Sequence, residues 1–536
     1  MTQLSDSTNN TFFDNPIIYH LITDRFLKGV PERSHSYGRS SDDDGDVGTF
    51  HGGDFRGVTM KLKDGWFSKL GVNGLLISAP YEQIHGWVPG GNGEFKHYAY
   101  HGYYALDYTV LDDNFGTEND LKELIATAHG MGIRVILDIA MNHPGYEDPQ
   151  TLHDLQIDVL RPNWEQASPA NQRAYIDYES SAFGAWWGGD WVRAPILNYP
   201  EGGMDRLTKC LWGLPDFRTE SAKHVDLPTF LQKKERTKAS HLSNTTVRGY
   251  LIKWLTDWVR NYGVDGFRCD SAIHVELDAW LELKRASLHA LNEWKVEHSC
   301  EKVDESPFWM MGEAFGSGTS RNSYFLFGFD SLLNFQFQHD LRRASSLEDV
   351  FDPYAATLGG RPGYNVVSFI SSHDTELFDR SDLIRGGTAL MLAPGGVQIF
   401  YGDETGRALG RFTPGDPLQG TRSDMNWDAI DTHVLSHWQA LGQFRRRHIA
   451  VARGKHRKIS GTPYIFGRMD EATGDKVVIV IGAFGEVAIP VDGYFSDGEY
   501  VRDAYSGYVG RVDSNLVTLL AGEVVLLERV DARLET

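Results

Sequence analysis

The chain has 536 residues, of which 41% are apolar and 23% charged, with a formal net charge of −21 and an isoelectric point near 5.4. This length exceeds one ordinary domain and favours a large domain with an insertion and one extra domain. The balance of apolar and charged residues excludes disordered and fibrous proteins. The acidic charge argues against a nucleic-acid partner, because following phosphates requires a basic surface.

The N-terminus and the cysteines bear on the compartment. Residues 1–11 form a polar tail without an apolar signal-peptide core, and no apolar run reaches the roughly 18 residues of a membrane span. We therefore expect a cytoplasmic protein if Met1 is the native start, and a periplasmic or secreted one if a signal peptide has been removed. Neither a disulfide framework nor a zinc site is predicted from the spacing of Cys210, Cys269 and Cys300.

Eight apolar runs predict strands, with room for a helix between one run and the next. The first is IIYHLI, and a helical pattern near Met60 separates it from GLLIS at 74–78. Residues 120–130 have helical spacing and a glycine stop before RVILDIA, a continuous apolar run typical of a strand covered on both faces. The remaining runs are VDGFRCD, PFWMMGE, SLLNFQF, NVVSFIS and GVQIFYG. Strands alternating with helices predict a (β/α)8 TIM barrel of the α/β class.

Two stretches depart from this alternation. Residues 144–243 are rich in Trp, Gly, Pro and polar residues, and a structureless loop of that length is uncommon, so we expect an inserted subdomain after the third strand. From residue 451 to 536, alternating runs such as KVVIVIG and VTLLAGEVVLLE predict an antiparallel β-sandwich domain. The predicted barrel therefore comprises residues 12–143 and 244–450.

Three of the predicted strands end near an acidic residue, Asp270, Glu313 or Asp374, and the C-terminal ends of barrel strands meet at one face. Cleaving a glycosidic bond with retention needs a carboxylate nucleophile and an acid that protonates the leaving oxygen. Arg268 shares a strand face with Asp270 and would keep it ionised. The apolar run before Glu313 would desolvate that carboxyl and favour its acid form. Asp374, after His373, would orient sugar hydroxyls and stabilise positive charge.

Together with DIAMNH, LPDFR and AYHGYYALD, these motifs resemble, in content and order, the α-amylase family, glycoside hydrolase family thirteen. The resemblance covers nearly the whole chain. The stretches DSAIHVELDAW, FWMMGEAFG, NVVSFISSHDT, APGGVQIFYGDE and DPLQGTRSDMNW are similar to bacterial periplasmic-type members of maltodextrin metabolism. The resemblance implies a monomeric enzyme, without membrane or nucleic-acid partners, that hydrolyses α-1,4-glucosidic bonds of starch, maltodextrins and maltooligosaccharides. A transglycosylating or maltooligosaccharide-forming enzyme on the same scaffold is the alternative.

A catalytically inactive carbohydrate-binding protein is a second alternative, which the presence of all three carboxylates disfavours. The resemblance implies that Asp270 is the nucleophile, Glu313 the general acid/base and Asp374 the transition-state stabiliser. It implies substrate contacts for Tyr103, Asp107, His143, Arg268, His274 and His373.

Two positions depart from common patterns of the family. Ile273 replaces a lysine of many amylases, which removes a cationic contact on the leaving-group side. Ser372 stands where chloride-activated members have asparagine, so we expect no chloride dependence.

The resemblance also implies a calcium ion held by Asn142, Asp216 and the backbone carbonyl of His274, which would attach the insertion to the barrel. A second calcium loop is predicted from DDDGDVG, whose aspartates have the i, i+2, i+4 spacing of a cation loop, although no glutamate closes it as in an EF-hand. A solvated acidic turn is the alternative. The residues of this second site would be Asp42, Asp44, Asp46 and the nearby Asp54.

Overall fold

The computed structural model describes residues 12–40, 47–359 and 364–530. Eight parallel strands form a closed barrel, in which each strand pairs with its neighbours in chain order and the last pairs with the first. All eight predicted runs form these strands, so the predicted barrel is confirmed. We number the strands β1 to β8: Ile17–His20, Gly74–Ile77, Arg134–Ala140, Gly266–Asp270, Trp309–Gly312, Ser331–Asn334, Asn365–Ser368 and Gly396–Phe400.

Helices surround the barrel. The helix Glu118–Gly130 begins with a capping box formed by Thr117 and Asp120 and ends at the glycine predicted to stop it. Residues 313–330, between β5 and β6, carry only the short 3-10 helix Ser323–Leu326 instead of the expected α-helix. The other helices are Thr23–Phe26, Phe55–Lys63, Trp66–Lys69, Pro149–Asp154, Thr229–Lys233, Val247–Tyr262, Leu277–Glu297, Gln336–Arg343, Glu348–Leu358, Leu383–Met391, Thr432–Arg447 and Ile449–Arg453.

None of the helices in the described ranges is long and apolar enough to cross a membrane. All three cysteines are free thiols.

Barrel strands alternate between the helical layer and the barrel interior, because side chains on a strand have a period of two. Ile17 and Tyr19 pack in the large core with the helices, whereas Ile18 belongs to a separate apolar cluster. That interior cluster includes Leu76, Ile136, Met311, Leu333, Val367 and Phe369. The same alternation places Asp138 two residues after Ile136, and Glu313 two residues after Met311. Polar residues therefore cap the apolar interior at the C-terminal mouth of the barrel.

The segment between β3 and the helix Val247–Tyr262 is mostly irregular. It contains one small antiparallel pair, Val192–Arg193 with Asp216–Phe217, and it buries the three rings of Trp186, Trp187 and Trp191. This aromatic packing explains how a segment with little regular structure is held together. The limits 144–243 proposed for a subdomain remain a prediction.

Sequence patterns did not reveal a second excursion, between β2 and the helix Glu118–Gly130. It forms two small antiparallel pairs, Tyr81–Gln83 with Ala105–Leu111 and Trp87–Gly90 with Phe95–Tyr98. The excursion carries the AYHGYYALD stretch.

The C-terminal region is antiparallel, as predicted. Six strands form one sheet, in the order Lys455–Gly461, Tyr464–Asp470, Asp475–Ile481, Val524–Val530, Tyr500–Asp503 and Val509–Arg511. Gly485–Pro490 and Leu516–Ala521 form a second sheet of two strands. Side chains from both sheets, including Val478, Ile489 and Val517, share one apolar cluster. The limits 451–536 of a separate sandwich domain remain a prediction.

Glu528 links the last long barrel helix to this C-terminal sheet. Its carboxylate lies 2.7 Å from His448 Nε2 and pairs with Arg447 and Arg502. Burial alone would raise the pKa of Glu528, but the bond from His448 and the charge of Arg447 outweigh burial and lower it from 4.5 to about 2. Because the folded pKa lies below the unfolded value, the stabilisation is complete above pH 4.5 and is lost as the pH falls toward 2.

We expect Glu528→Gln to lower the free energy of unfolding by about 3 kcal/mol at neutral pH, because buried positive groups lose their partner. Denaturant unfolding at pH 7 and at lower pH measures this, and the difference from wild type should shrink at low pH. Glu523→Gln, at an exposed position of the same region, is the control and should change little. Equal losses in the two variants would contradict the assignment.

Candidate active site

Arg268 lies at the centre of the polar cluster at the barrel mouth and is only 1% exposed. Its Nη1 donates to Asp138 Oδ1 at 2.8 Å and to Asp270 Oδ1 at 2.9 Å. Its Nη2 donates to Glu313 Oε1 at 2.5 Å and lies 4.0 Å from Asp374 Oδ2. One guanidinium therefore gathers four carboxylates, from β3, from β4 and from the chain just beyond β5 and β7.

The pKa values of Glu313 and Asp374 are shifted in opposite directions. Burial raises the pKa of Glu313 well above the usual carboxyl range, which favours its protonated form. Burial alone would also raise the pKa of Asp374, but His373 and Arg422 outweigh burial and hold it well below its usual range. The oxygens of Asp374 lie 2.8 Å from His373 Nε2 and 3.2 Å from Arg422 Nη2. The cluster thus combines one carboxyl group whose surroundings favour its acid form with one whose surroundings favour its ionised form.

Tyr103 connects two sides of the cluster. Its hydroxyl donates to Asp138 Oδ2 at 2.6 Å and lies 3.0 Å from His373 Nε2. Its ring is stacked with that of His101, with ring centroids 5.3 Å apart and planes 20° apart. These contacts fix the orientation of the Tyr103 ring beside the carboxylates.

His143 brings a neutral imidazole to the end of β3, because burial lowers its pKa. Its Nδ1 lies 3.1 Å from Asn142 Oδ1. Its Nε2 is buried and has no hydrogen-bond partner within the described part of the chain. A buried polar atom of this kind needs a partner, and a substrate hydroxyl is one that could supply it.

Two members of the cluster were not among the predicted site residues. Asp138 carried a signal in the sequence, because it follows an apolar run. It also lies two residues after Ile136, so its side chain is on the same, inward-facing side of the strand. Arg422 carried none. It ends the 3-10 helix Pro417–Arg422, far along the chain from β7, and only the folded chain brings it to Asp374.

Asp107 does not join the cluster. It is fully buried, its Oδ1 accepts from the Thr109 backbone N–H at 2.9 Å, and its Oδ2 lies 3.2 Å from Lys234 Nζ. The carboxylate thus has no exposed surface and is tied to a lysine of the insertion. The expected substrate contact of Asp107 stays a prediction, and in this structure the residue joins the excursion after β2 to the insertion.

The ring of His274 also lies outside the carboxylate cluster. Its Nδ1 is 2.7 Å from the backbone oxygen of Arg206 in the insertion. Its backbone carbonyl, however, meets the other predicted calcium ligands. Asn142 Nδ2 donates to this carbonyl at 3.1 Å and to Asp216 Oδ1 at 3.0 Å. Arg193 Nη1 bonds the other oxygen of Asp216 at 2.7 Å.

The oxygen and nitrogen of an asparagine amide are interchangeable by rotation of the side chain. Rotation of Asn142 would turn its Oδ1 toward Asp216 and the His274 carbonyl. Three oxygen ligands of the kind that Ca²⁺ prefers would then converge. The residues of the first predicted calcium site therefore fit the ion.

The second predicted calcium loop is not supported at Asp54. This buried residue caps the helix Phe55–Lys63, where its Oδ1 accepts from the backbone N–H groups of Gly57 and Gly29 and its Oδ2 accepts from that of Val30. Its oxygens are therefore used in capping rather than offered to a metal. Within the described ranges, no group of three or more His, Cys, Asp or Glu side chains could hold a metal ion. Asp42, Asp44 and Asp46 lie outside the described residues.

Comparisons with known proteins agree with this geometry. The family model for the alpha-amylase catalytic domain matches residues 18–179. The periplasmic alpha-amylase of Escherichia coli (strain K12) is 43% identical over 492 residues, which cover 87% of this chain and 72% of that protein. The cyclomaltodextrin glucanotransferase of Bacillus sp. (strain 1-1) is 27% identical over 426 residues, which cover 75% of this chain but 51% of that enzyme.

The same fold occurs in solved structures. The crystal structure of the alpha-amylase from Geobacillus thermoleovorans complexed with acarbose has a TM-score of 0.66 and 20% sequence identity, and the match covers 98% of this chain and 100% of that one. A closed (β/α)8 barrel with a cluster of carboxyl groups at its mouth is the architecture of a glycoside hydrolase. The sequence relatives narrow the class of glycoside hydrolases to one family. The chain belongs to the alpha-amylase family.

Proposed function

We propose that this protein is an α-amylase that hydrolyses α-1,4-glucosidic bonds of starch and maltodextrins with net retention of configuration. The observation that carries the proposal is the contrast between the raised pKa of Glu313 and the lowered pKa of Asp374, two carboxyl groups gathered around Arg268. The similarity to a protein named alpha-amylase supports the choice of substrate.

In the first step, a carboxylate oxygen of Asp270 attacks the anomeric carbon while Glu313 gives its proton to the leaving glycosidic oxygen. The bond between the anomeric carbon and that oxygen breaks, and a glycosyl ester forms on Asp270. In the second step, Glu313, now ionised, takes a proton from the water that attacks the same carbon, and Asp270 is released. Arg268 donates hydrogen bonds to both carboxyl groups and so fixes the positions of the nucleophile and of the acid.

Other residues of the cluster suit substrate binding. The ionised Asp374 would stabilise positive charge that develops on the sugar ring, and the ring of Tyr103 would pack against the sugar. His143 would donate to or accept from a hydroxyl through its unpartnered Nε2. His373, held against Asp374 and Tyr103, would contact the same sugar.

Incubation with maltoheptaose tests this function. We expect shorter maltooligosaccharides whose new reducing ends appear first as the α-anomer, as measured by chromatography and by proton NMR of fresh reaction mixtures. Products that appear first as the β-anomer would overturn the retaining mechanism. An absence of cleavage by folded protein would overturn the proposed hydrolase.

Transglycosylation is the second candidate, because water and a sugar hydroxyl compete for the same covalent intermediate. The resemblance places Ile273 on the leaving-group side, and here Ile273 is partly buried, while Phe315, two residues after Glu313, is 65% exposed. The relative named cyclomaltodextrin glucanotransferase supports this candidate. Cyclic products, or products longer than maltoheptaose, would favour it.

The pH dependence of kcat/KM should reflect the raised pKa of Glu313. Because the acid form of Glu313 is needed in the first step, activity should fall as the pH rises through its pKa, and burial moves that alkaline limb upward. A pH profile measured on maltoheptaose checks this. An alkaline limb at the pH of an ordinary exposed carboxyl would contradict it.

Calcium at Asn142, Asp216 and the His274 carbonyl would attach the insertion to the barrel. We expect EDTA to lower the midpoint of thermal unfolding by several degrees, and added Ca²⁺, but not Mg²⁺, to restore it. The Asp216→Asn variant should unfold earlier than wild type and respond little to EDTA. A wild-type midpoint that is identical with and without EDTA would contradict the calcium site.

We infer a periplasmic location from the relative that is named periplasmic, with the cytoplasm as the alternative. Fractionation of cells that express the full natural gene distinguishes the two. We also infer a monomer, which size-exclusion chromatography with light scattering tests.

A further inference from the structure

A small cavity of about 10 Å³ lies at the carboxylate cluster, with Glu313 and Ser372 in its wall. Four further polar side chains line it, namely those of His20, Arg268, His373 and Gln398. Each is at most 4% exposed. They come from β1, from β4, from the chain beyond β7 and from β8, so the barrel itself builds this pocket.

Each of these four side chains has one buried polar atom without a hydrogen-bond partner in the described part of the chain. The atoms are His20 Nδ1, Arg268 Nε, His373 Nδ1 and Gln398 Oε1. A buried polar atom left without a partner costs free energy, so native proteins rarely leave even one. Four around one cavity indicate that a ligand joins them.

The hydrogen-bonding character of the four atoms identifies that ligand. Arg268 Nε carries a hydrogen and can only donate. His373 Nε2 faces two acceptors, Asp374 Oδ2 at 2.8 Å and the Tyr103 hydroxyl at 3.0 Å, and that hydroxyl has already donated its hydrogen to Asp138. A hydrogen on Nε2 serves both acceptors, and in the tautomer that carries only this hydrogen Nδ1 is an acceptor.

Gln398 Oε1 is a second acceptor, and His20 Nδ1 can donate or accept according to its tautomer. Water matches this set, because it accepts two hydrogen bonds and donates two. It would accept from Arg268 Nε and His20 Nδ1 and donate to His373 Nδ1 and Gln398 Oε1. A halide ion can only accept hydrogen bonds, so the lone pairs of the two acceptor atoms, His373 Nδ1 and Gln398 Oε1, would repel it. The cavity volume is about what one water molecule needs.

We propose that one structural water is bound at this place and that His20 and Gln398, through it, are positioning residues for Arg268 and His373. The water would hold the Arg268 guanidinium in the orientation in which Arg268 bonds the surrounding carboxylates. It would also keep the His373 hydrogen on Nε2, facing Asp374. His20 and Gln398 themselves do not touch the substrate, so their effect is on the geometry of the groups that do.

A high-resolution crystal structure of the wild-type protein, with a second crystal soaked in bromide, tests the site directly. We expect one ordered water within hydrogen-bond distance of Arg268 Nε and His373 Nδ1, and no anomalous bromide peak. An empty cavity or a bromide ion there would overturn the proposal. This measurement does not depend on activity, so it separates a failure of the water site from a failure of the proposed function.

Variants test the positioning role, and this arm rests on the proposed function. We expect His20→Leu and Gln398→Leu to lower kcat on maltoheptaose by about 3- to 10-fold, the range of one or two lost net hydrogen bonds, with KM nearly unchanged. His20→Gln, which can still bond the water, should recover most of the lost kcat. The control is Leu333→Met, which changes an apolar wall of the same cavity and should keep wild-type kcat.

Wild-type kcat in both leucine variants would overturn the positioning role, as would a loss of kcat in Leu333→Met of the same size. Thermal unfolding of each variant is recorded beside the kinetics. If a leucine variant fails to fold, the wild-type crystal structure and His20→Gln still decide between the outcomes.

Discussion

Glu313→Gln is expected to lower kcat on maltoheptaose by about 10² or more, because the glutamine amide cannot give a proton to the leaving oxygen. The effect should depend on the leaving group. In a maltosyl fluoride the leaving group is a fluoride ion, which departs without protonation. The formation of the glycosyl ester from this substrate should therefore be much less affected. A burst of fluoride followed by slow turnover is the expected result, since the second step still lacks its base.

The matched control is Glu404→Gln. Glu404 is also a buried glutamate, and burial raises its pKa to about 7, but it accepts from the Tyr19 hydroxyl and lies outside the carboxylate cluster. We expect it to keep the wild-type preference between the two substrates. Equal losses of Glu313→Gln on maltoheptaose and on the fluoride would contradict the acid role. Full activity of that variant would remove Glu313 from the mechanism.

Arg268→Met is expected to lower kcat by about 10² to 10³, the usual effect of removing one preorganised electrostatic group. The guanidinium bonds Asp138, Asp270 and Glu313 at once. Without it, the carboxyl groups repel one another and favour their protonated forms. Because the charge of Arg268 lowers the pKa of Glu313, the alkaline limb of the pH profile should move to higher pH in this variant, which rate measurements over a range of pH detect.

Loss of Arg268 should also destabilise the fold, because it leaves buried carboxylates unpaired at a cost of about 3–5 kcal/mol. Arg39→Met separates the two effects. Arg39 is equally buried and pairs with Asp112 at 2.7 Å, away from the cluster, so we expect a lower unfolding midpoint with unchanged kcat. An unshifted alkaline limb in Arg268→Met would show that the charge of the arginine does not act on Glu313. The same variant with wild-type kcat would contradict its central role.

Much of the architecture followed from local patterns. The eight barrel strands were recognisable because a strand covered on both faces is mostly apolar, and RVILDIA is buried over its full run. The convergence of Asp270, Glu313 and Asp374 followed from one rule, that the C-terminal ends of barrel strands share a face. Motif resemblance then connected the cluster with a reaction.

Other features could not be read from the chain. Asp107 lies in a stretch with family-like motifs, yet its neighbours in space are Thr109 and Lys234, the latter more than a hundred residues away in the chain. Asp54 stands near an acidic loop, yet local backbone geometry makes it a helix cap. An aspartate is equally suited to a cap, an ion pair or a metal site, and only its surroundings select among them.

By itself, the sequence determined the barrel, the C-terminal sheet and the identity of the residues that could do chemistry, because these depend on periodicity and on residue type. Only the tertiary structure decided which further residues join Asp270, Glu313 and Asp374, and in which direction the pKa values of the cluster are shifted. Arg422 reaches Asp374, and the pKa values of Glu313 and Asp374 move in opposite directions, because of burial and of charges contributed by distant segments. Burial and charge at a site sum over neighbours in space, and a linear pattern carries no record of those neighbours.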